Sequence, residues 1–482
     1  MSPSSGVAVT MRLAEKKLYH SSETYTSQLD TIANRRNGDT IVQRELNLIH
    51  YPIGSKYLFE ELCTEKRLLE GWREVRKNRG TSGIDGQTIE SFKSRLQEEI
   101  KRLKQELENW KYEPQPVRRV EIPKADGSGI RLLGVPCIRD RIVQTSIKQL
   151  LEPILEPLFS EHSYGFRPGK NQQQAVEAAQ KIVQSGKSYV VDIDLEQFFD
   201  RVNQDRLMGR LSKVIEDKRI LKLIGKTLRS GVMKDGIIIP TSEGTTQGSP
   251  LSPLLSNVVL DELDKEIEKR GLEYCRFADD CNIFAKTPKA AERIMTSISK
   301  FIGKKLKLSV NKAKSKVAES SMVKFLGMTI VGGALAISRK SLNLAMKKVK
   351  ELTPRGTHEK LEETIKRINN WYRGWSNYYS MTQYPSQLKT VESHVRRRLR
   401  SRIVGQQKSK RNLFHKLMKR GVSRVLAART VYSNHKKWAV SCTIAMGIAY
   451  SNQWFIKDMN LQIRSNENRA QWFDIKKWIR VT

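Results

Sequence analysis

Along the first half of the chain the apolar positions change period, and each change marks an element. Residues 1 to about 50 are polar and mixed, with little periodicity before Ile41; they predict a tail followed by a helix over 41–49. From Leu58 to Val75 apolar side chains return every three or four residues (Leu58, Leu62, Leu68, Leu69, Trp72), the spacing of one helical face. A loop at 80–86, Gly-Thr-Ser-Gly-Ile-Asp-Gly, separates this helix from a second over 89–110. The pattern then turns to alternation. Pro114, Pro116 and Pro123 break helices, while Val117–Ile122 and Ile130–Val135 read as strands around the turn-forming Ala125-Asp-Gly-Ser-Gly129. Helices are expected over 139–159 and 172–184, joined by the aromatic and glycine loop His162-Ser-Tyr-Gly-Phe-Arg-Pro168.

The β-branched run Ser188–Leu195 is the clearest buried strand, and a helical segment carrying Phe198 and Phe199 follows it. A short strand is expected at 237–240, then a loop over 244–253 that leads into a helix ending near Arg270. Tyr274–Phe284 places Asp279-Asp280 between apolar flanks, which predicts a hairpin with carboxylates at its tip. A helix over 290–304 and strands near 306–310, 323–330 and 334–337 complete an α+β region. From Ser341 onward the pattern is helical, with Leu361, Ile365, Ile368, Tyr372, Trp375 and Tyr379 on one face. Trp438, Trp454, Trp472 and Trp478 make the closing segment read as folded.

Charge narrows the function. The 482 residues hold 87 Lys and Arg against 51 Asp and Glu, a net charge of +36, which points to a polyanionic partner and above all nucleic acid. Between Arg396 and Arg420 no residue is acidic, and Arg396, Arg397, Arg398, Arg400, Arg402, Lys408, Lys410 and Arg411 are the expected RNA contacts. Five cysteines, an odd number without a Cys-x-x-Cys pair, argue against a zinc module or a disulfide framework and fit a reducing compartment. Without an apolar leader or a long apolar run, neither secretion nor a membrane span is expected.

Adjacent carboxylates at a hairpin tip repel each other and become favourable when divalent cations bind. Nucleotidyl transfer uses such a site: one ion activates the attacking 3′-hydroxyl and a second holds the triphosphate. A third carboxylate is available on the Ser188–Leu195 strand, where Asp192 and Asp194 share one face; the residues alone leave the choice between them open.

Several boxes carry a family resemblance. Phe277-Ala-Asp-Asp280 resembles the Y/F-x-D-D box of reverse transcriptases, and Asp194-Leu-Glu-Gln-Phe-Phe-Asp200 resembles their preceding palm box. That box pairs a metal-binding Asp with an aromatic five residues on that rejects the ribose 2′-hydroxyl. The resemblance therefore selects Asp194 with Asp279 and Asp280 as catalytic metal ligands, and Phe199 as steric gate. Gly244–Pro253 resembles the nucleotide loop, with Gln247 and Gly248 as contacts, and Ile122–Arg131 resembles the fingers hairpin, with Lys124 and Arg131 on the triphosphate. Asn311–Lys316 and Lys324-Phe-Leu-Gly327 resemble the last two palm and primer-grip blocks. His162–Pro168, Thr81–Gly86 and Trp371-Tyr-Arg-Gly-Trp-Ser-Asn-Tyr-Tyr379 are similar to bacterial and organellar group II intron-encoded proteins. Two spellings depart from the usual pattern: Phe277 stands where Tyr is commoner, and Thr246 where Pro precedes the Gln-Gly.

The resemblance implies a right-hand α+β polymerase of fingers and palm over 51–337, after an N-terminal tail. An all-α thumb or maturase domain over 338–425 and a small basic DNA/RNA-binding segment over 426–482 would follow. It implies an RNA-directed DNA polymerase with two Mg2+ ions that assists splicing of its intron and copies it in retrohoming. Its expected partners are group II intron RNA, an RNA template with DNA primer, dNTPs and target DNA, and its expected place is the bacterial cytoplasm, at the nucleoid when acting on DNA. No HNH endonuclease is expected, since its paired cysteines and His-Asn-His arrangement are missing from the sequence. Two other readings stand beside this one: a domesticated enzyme in defence or DNA repair, and an RNA-binding splicing factor with a dead polymerase.

Overall fold

The computed structural model of the protein describes residues 56–464, apart from 124–128, 235 and 355–356. The expected tail and 41–49 helix, Lys124, Trp472 and Trp478 lie outside the described residues.

Two expected long helices are each divided. The first is α1 (Leu58–Leu62) and α2 (Glu65–Lys77), because the Thr64 side chain accepts a hydrogen bond from the Arg67 amide and caps a new helix. The second is α3 (Ile89–Ser94) and α4 (Leu96–Glu108), broken at Arg95, whose backbone leaves helical geometry. Strands β1 (Val117–Pro123) and β2 (Ile130–Val135) form the expected hairpin. Helices α5 (Ile138–Leu155) and α6 (Gln172–Gln184) follow, then β3 (Tyr189–Ile193), a tight helical turn at Phe198–Arg201, α7 (Gln204–Leu211) and α8 (Lys218–Leu228). Strands β4 (Val232–Lys234) and β5 (Ile237–Ile239) lead to α9 (Ser252–Lys269), β6 (Tyr274–Phe277), β7 (Asp280–Ala285) and α10 (Pro288–Phe301).

Beyond α10 the expected strand at 306–310 is absent. Lys307 takes a left-handed conformation (φ 59°) and Val310 makes a single bridge to Leu195; the strand that pairs with β3 is β8, Lys316–Glu319. The expected strand at 323–330 starts late, as β9 (Met328–Val331), because Leu326 and Gly327 both have positive φ (49° and 85°) and turn the chain first. It pairs with β10 (Ala334–Ile337). The remainder is helical: α11 (Arg339–Leu352), α12 (Leu361–Tyr378), α13 (Pro385–Gly405), α14 (Lys410–Lys419), α15 (Arg424–Val431), α16 (Lys437–Val440), α17 (Ile444–Ala449) and α18 (Asn452–Lys457).

One sheet has the order β2-β1-β4-β5 and another β6-β7-β3-β8. The second is the scaffold of the site. A large core from α1 to Leu308 packs one of its faces, including Val191, Ile193, Cys281 and Ile283. A smaller one holds the other, where Val190, Cys275 and Phe284 meet Ala175, Val176, Ala179 and Val183 of α6. Alternation along β3 and β7 is thus apolar on both faces, as expected of a buried central strand. Four of the five cysteines are buried, Cys442 is exposed, and all are free. None of the helices in the described residues is long and apolar enough to cross a membrane.

The expected boundary at 337/338 coincides with the end of β10, where the Ser338 side chain caps α11. The expected boundary at 425/426 does not hold: it falls inside α15, and a single core runs from Ala345 to Leu461. Leu413 and Leu417 of α14 share that core with Met446 and Phe455, so the closing helices complete the helical domain and are not a separate one. Ending the chain after residue 425 should therefore remove several buried side chains, each contributing about 2 kcal/mol. The truncated protein is expected to aggregate or to lose its cooperative helical-domain transition in a thermal melt. A soluble truncation with an unchanged melting profile would contradict the shared core.

Candidate active site

The register of the second sheet places the carboxylates. In the antiparallel pair β3–β7, Ile193 stands opposite Cys281 as the last pair of the ladder; Asp194 is the next residue after Ile193, and Asp280 the one before Cys281. Strands β6 and β7 close through Phe277 and Asp280, leaving Ala278 and Asp279 as a two-residue turn. Ala278 has a positive φ of 55°, a conformation that favours glycine. It is held there from two sides. Arg276 Nη1 donates to the Ala278 carbonyl at 2.9 Å, and Gly165 backs onto the turn so closely that a Cβ on it would lie 2.2 Å from the Ala278 nitrogen.

Arg276 is wholly buried. Its Nε and Nη2 form a bidentate pair with Asp264 of α9 (2.7 and 2.5 Å), equally buried, and Nη1 reaches Asn257 Oδ1 at 3.1 Å. Asn257 in turn donates to the Gly165 carbonyl at 2.9 Å. The His162–Pro168 loop runs beside β6, accepting from the Arg276 amide at His162 O (2.9 Å) and donating from Tyr164 N to Arg276 O (2.8 Å). His162 thus acts through its backbone. Arg167 ties the loop to Glu156 and to the Ser160 and Ser163 carbonyls.

Asp194 is fixed by the 311–316 block. Its amide donates to Ser315 Oγ (2.9 Å), its carbonyl accepts from Asn311 N (2.9 Å), and Lys314 Nζ lies 3.8 Å from its carboxylate. Burial pushes the Asp279 carboxyl above the usual range; Asp194 adds to this while Arg131 and Arg276 oppose it. Asp280 still reaches solvent, yet crowding by protein atoms, reinforced by Asp279, Asp192 and Asp194, pushes it up to about 7. Asp192 rises to about 6, again mainly through burial, with Lys316 opposing and Asp194 adding. The four aspartates therefore share one electrostatic field. Among the described residues no three carboxylate, imidazole or thiol groups stand close enough to hold an ion together, so the expected three-ligand set is not preassembled. Like charges at one sheet end repel, and a bound cation would offset that repulsion.

Of the expected nucleotide residues, Lys124 lies outside the described residues and Arg131 acts on an aspartate of the site. Arg131 is exposed on β2 opposite Ile122, and its charge acts on Asp279. Phe198 is buried while Phe199 is half-buried, the two rings meeting edge-on at 5.3 Å. One loop joins this turn to the first sheet. Thr245 N donates to Phe199 O (2.6 Å) and Gly244 N to Val202 O (2.7 Å), while Gly134 N of β2 donates to Gln247 O (2.7 Å). Gly248, at φ 113°, leaves no room for a Cβ, which would sit 2.6 Å from the Gly134 carbonyl.

The basic run divides, and part of the expected RNA surface is corrected. Arg398 is buried and donates to the Thr353 hydroxyl and carbonyl, and Arg402, 2 % exposed, donates to Thr364 and the Glu359 carbonyl. Both pin α13 to neighbouring segments and present no charge outward, because a buried guanidinium must spend its donors internally. Arg396 is half-buried and 3.9 Å from Glu392, Arg397 lies 4.0 Å above the Trp438 ring, and Arg400 donates to the Tyr450 carbonyl at 2.9 Å. Only Lys408, Lys410 and Arg411 of the expected set are exposed.

Sequence reasoning overlooked Gly165, Ser315 and the Asn257–Asp264–Arg276 network. A signal for the last was present: Asn257 and Asp264 are spaced seven apart on a helical face that also carries Leu260 and Ile267, and Arg276 interrupts an apolar strand. Arg276→Met should destabilise the fold by about 3–5 kcal/mol, since it strands a buried Asp264. Arg276→Met combined with Asp264→Leu is expected to recover most of that loss in chemical denaturation without recovering the turn's function. Additive losses in the double variant would rule out the pairing as described.

Comparison with known proteins agrees with this arrangement. The reverse transcriptase (RNA-dependent DNA polymerase) family matches residues 122–330, and the group II intron maturase-specific domain matches residues 342–421. Protein YkfC of Escherichia coli (strain K12) is 33% identical over 279 residues, 50% of this chain and 73% of that protein. The group II intron-encoded protein LtrA of Lactococcus lactis subsp. cremoris is 34% identical over 200 residues, 42% of this chain and 33% of its own length. The putative COX1/OXI3 intron 2 protein of Saccharomyces cerevisiae is 31% identical over 252 residues, 50% of this chain and 28% of that protein. The match thus spans a third or less of these two intron proteins. With the aspartate hairpin, the nucleotide loop and both sheets' strands inside the first match or beside it, and α11–α14 in the second, the chain belongs to the reverse transcriptases of the group II intron-encoded type.

Proposed function

We propose that the protein extends a DNA primer along an RNA template and that it binds group II intron RNA, assisting its splicing and its copying into DNA. The observation that carries the first part is the β3–β7 register, which ends at Ile193–Cys281 and so brings the strand ends that carry Asp194 and Asp280 together beside the Asp279 turn. The maturase-specific match over 342–421 supports the second.

The donor set fits a hard divalent cation: carboxylate oxygens only, crowded enough that their charges disfavour one another. Asp194, Asp279 and Asp280 would hold two Mg2+ ions. Bound there, the ions supply Lewis acidity toward a 3′-hydroxyl and a triphosphate. The chain's own groups do the rest. Arg131, with Lys124, neutralises triphosphate oxygens, because cationic donors make short, strong hydrogen bonds to phosphate. Gln247 and Gly248, held against Gly134 of β2, would contact the incoming nucleotide. Phe199, half-buried beside Phe198, would exclude a ribose 2′-hydroxyl by contact. Lys408, Lys410 and Arg411 offer outward charge to RNA phosphates.

Asp279→Ala should lower primer extension on an RNA template at least about a hundredfold while RNA binding stays near wild type. Extension at the wild-type rate would refute the assignment. Phe199→Ala should raise ribonucleotide incorporation relative to deoxyribonucleotide by roughly tenfold. Unchanged discrimination in single-nucleotide extension assays would remove Phe199 as the gate.

A further inference from the structure

The helical domain carries an aromatic groove that the polymerase reading does not use. It lies between α11 and α12, with a volume of about 350 Å3. Trp371 and Trp375 line it from α12 and Tyr379 from the residue that ends that helix, four residues apart and so in one row. Their rings follow one another at centroid distances of 5.8 and 4.9 Å, with planes inclined by 28° and 42°. Tyr372, the apolar neighbour on the same helix, turns inward instead and donates to Glu392 at 2.5 Å. The three rings therefore back onto the buried cores with one side and are half-buried, lining the groove with the other.

The opposite rim is basic. Lys347 and Lys348 of α11 are exposed and line the groove. Glu351 also lines it and lies 3.2 Å from Lys348; such an exposed pair is worth little, so a phosphate displaces it easily. At its other end the ring series reaches the 324–327 turn. Tyr378 Oη donates to the Leu326 carbonyl at 2.5 Å, and a Cβ on Gly327 would stand 2.6 Å from the Tyr379 hydroxyl. Lys324, in that turn, acts electrostatically on Asp280 and Asp192.

We infer that this groove takes unpaired bases of a single-stranded nucleic acid, which continue the stack of Trp371, Trp375 and Tyr379 while Lys347 and Lys348 meet the flanking phosphates. Bases offer flat faces to such a series whatever their identity, and stacking on aromatics needs no sequence. A protein of net charge +36 with lysines on the rim favours a polyanion over an apolar peptide. The inference rests on the nucleic-acid function proposed above, but it concerns binding outside the catalytic carboxylates.

The test uses the full chain without magnesium, titrated with a fluorescent short oligouridylate and, in parallel, an oligothymidylate. Trp371→Leu should weaken binding about tenfold with an unchanged salt slope, whereas Trp371→Phe keeps most of the affinity. Lys347→Gln with Lys348→Gln should instead flatten the slope of log K against log salt by about 1.4. A response with both oligonucleotides supports base stacking, and one confined to oligouridylate assigns the groove to an RNA strand. Wild-type affinity and slope in all variants would overturn the inference. So would equal losses for the Leu and Phe variants alongside a lowered melting temperature, the mark of a packing role. Primer extension by the same wild-type protein with Mg2+ and dNTPs added separates the two readings: oligonucleotide binding without extension under those conditions defeats the polymerase proposal and leaves the groove standing.

Discussion

A guanidinium cannot be buried alone, and in this protein the Arg276–Asp264 pair turns that constraint into the shape of the acidic turn. Desolvating both ions costs several kcal/mol each, recovered only if geometry and hydrogen bonding are close to ideal. The pair meets that demand by using four of the five guanidinium donors: two on Asp264, one on Asn257, one on the Ala278 carbonyl. The last of these fixes the turn. Ala278 is kept in a left-handed conformation, Asp279 is delivered at a set position, and the loop carrying Gly165 must approach without a side chain. Such a pair adds little net stability over an apolar substitute. Its contribution is specificity of backbone shape, needed where four aspartates of like charge stand at one sheet end.

Much of this was legible from pattern. The strand at 189–193, the acidic hairpin and the break before the helical domain arise from β-branching, turn chemistry and a change of period, all local properties. The carboxylate partner was not. Asp192 and Asp194 share a face, and it is the palm-box resemblance, not periodicity, that selects Asp194, the residue just past the Ile193–Cys281 pair. Where expectation failed, the deciding force was either finer or longer in range than periodicity. A threonine hydroxyl split one helix at Thr64. Two positive-φ residues delayed β9, and β3 took its partner from 316–319 instead of the more apolar 306–310. The boundary near 425 failed because composition changes there while the core does not.

Arginine in this protein is as much a packing residue as a charge. Arg397 covers Trp438, Arg420 lies 4.4 Å from Tyr450 and 4.5 Å from Trp454, and Arg398 and Arg402 hold segments around α13. Planar guanidinium suits this use, stacking on rings and bonding carbonyls with the same atoms. A basic composition therefore overstates the charge facing a partner. The lysines, whose compact ammonium keeps its water, remain on the outside at 408 and 410 and along α11.

The loop over 244–248 has a further consequence. It is hydrogen-bonded at one end to the turn that carries Phe199 and at the other to Gly134 in the hairpin that carries Arg131. Two clamps on five residues make a short, stiff tie rod. Any displacement of the hairpin would be carried along that rod to the turn that holds Phe199. Two sites far apart in sequence are thereby linked through one short length of backbone.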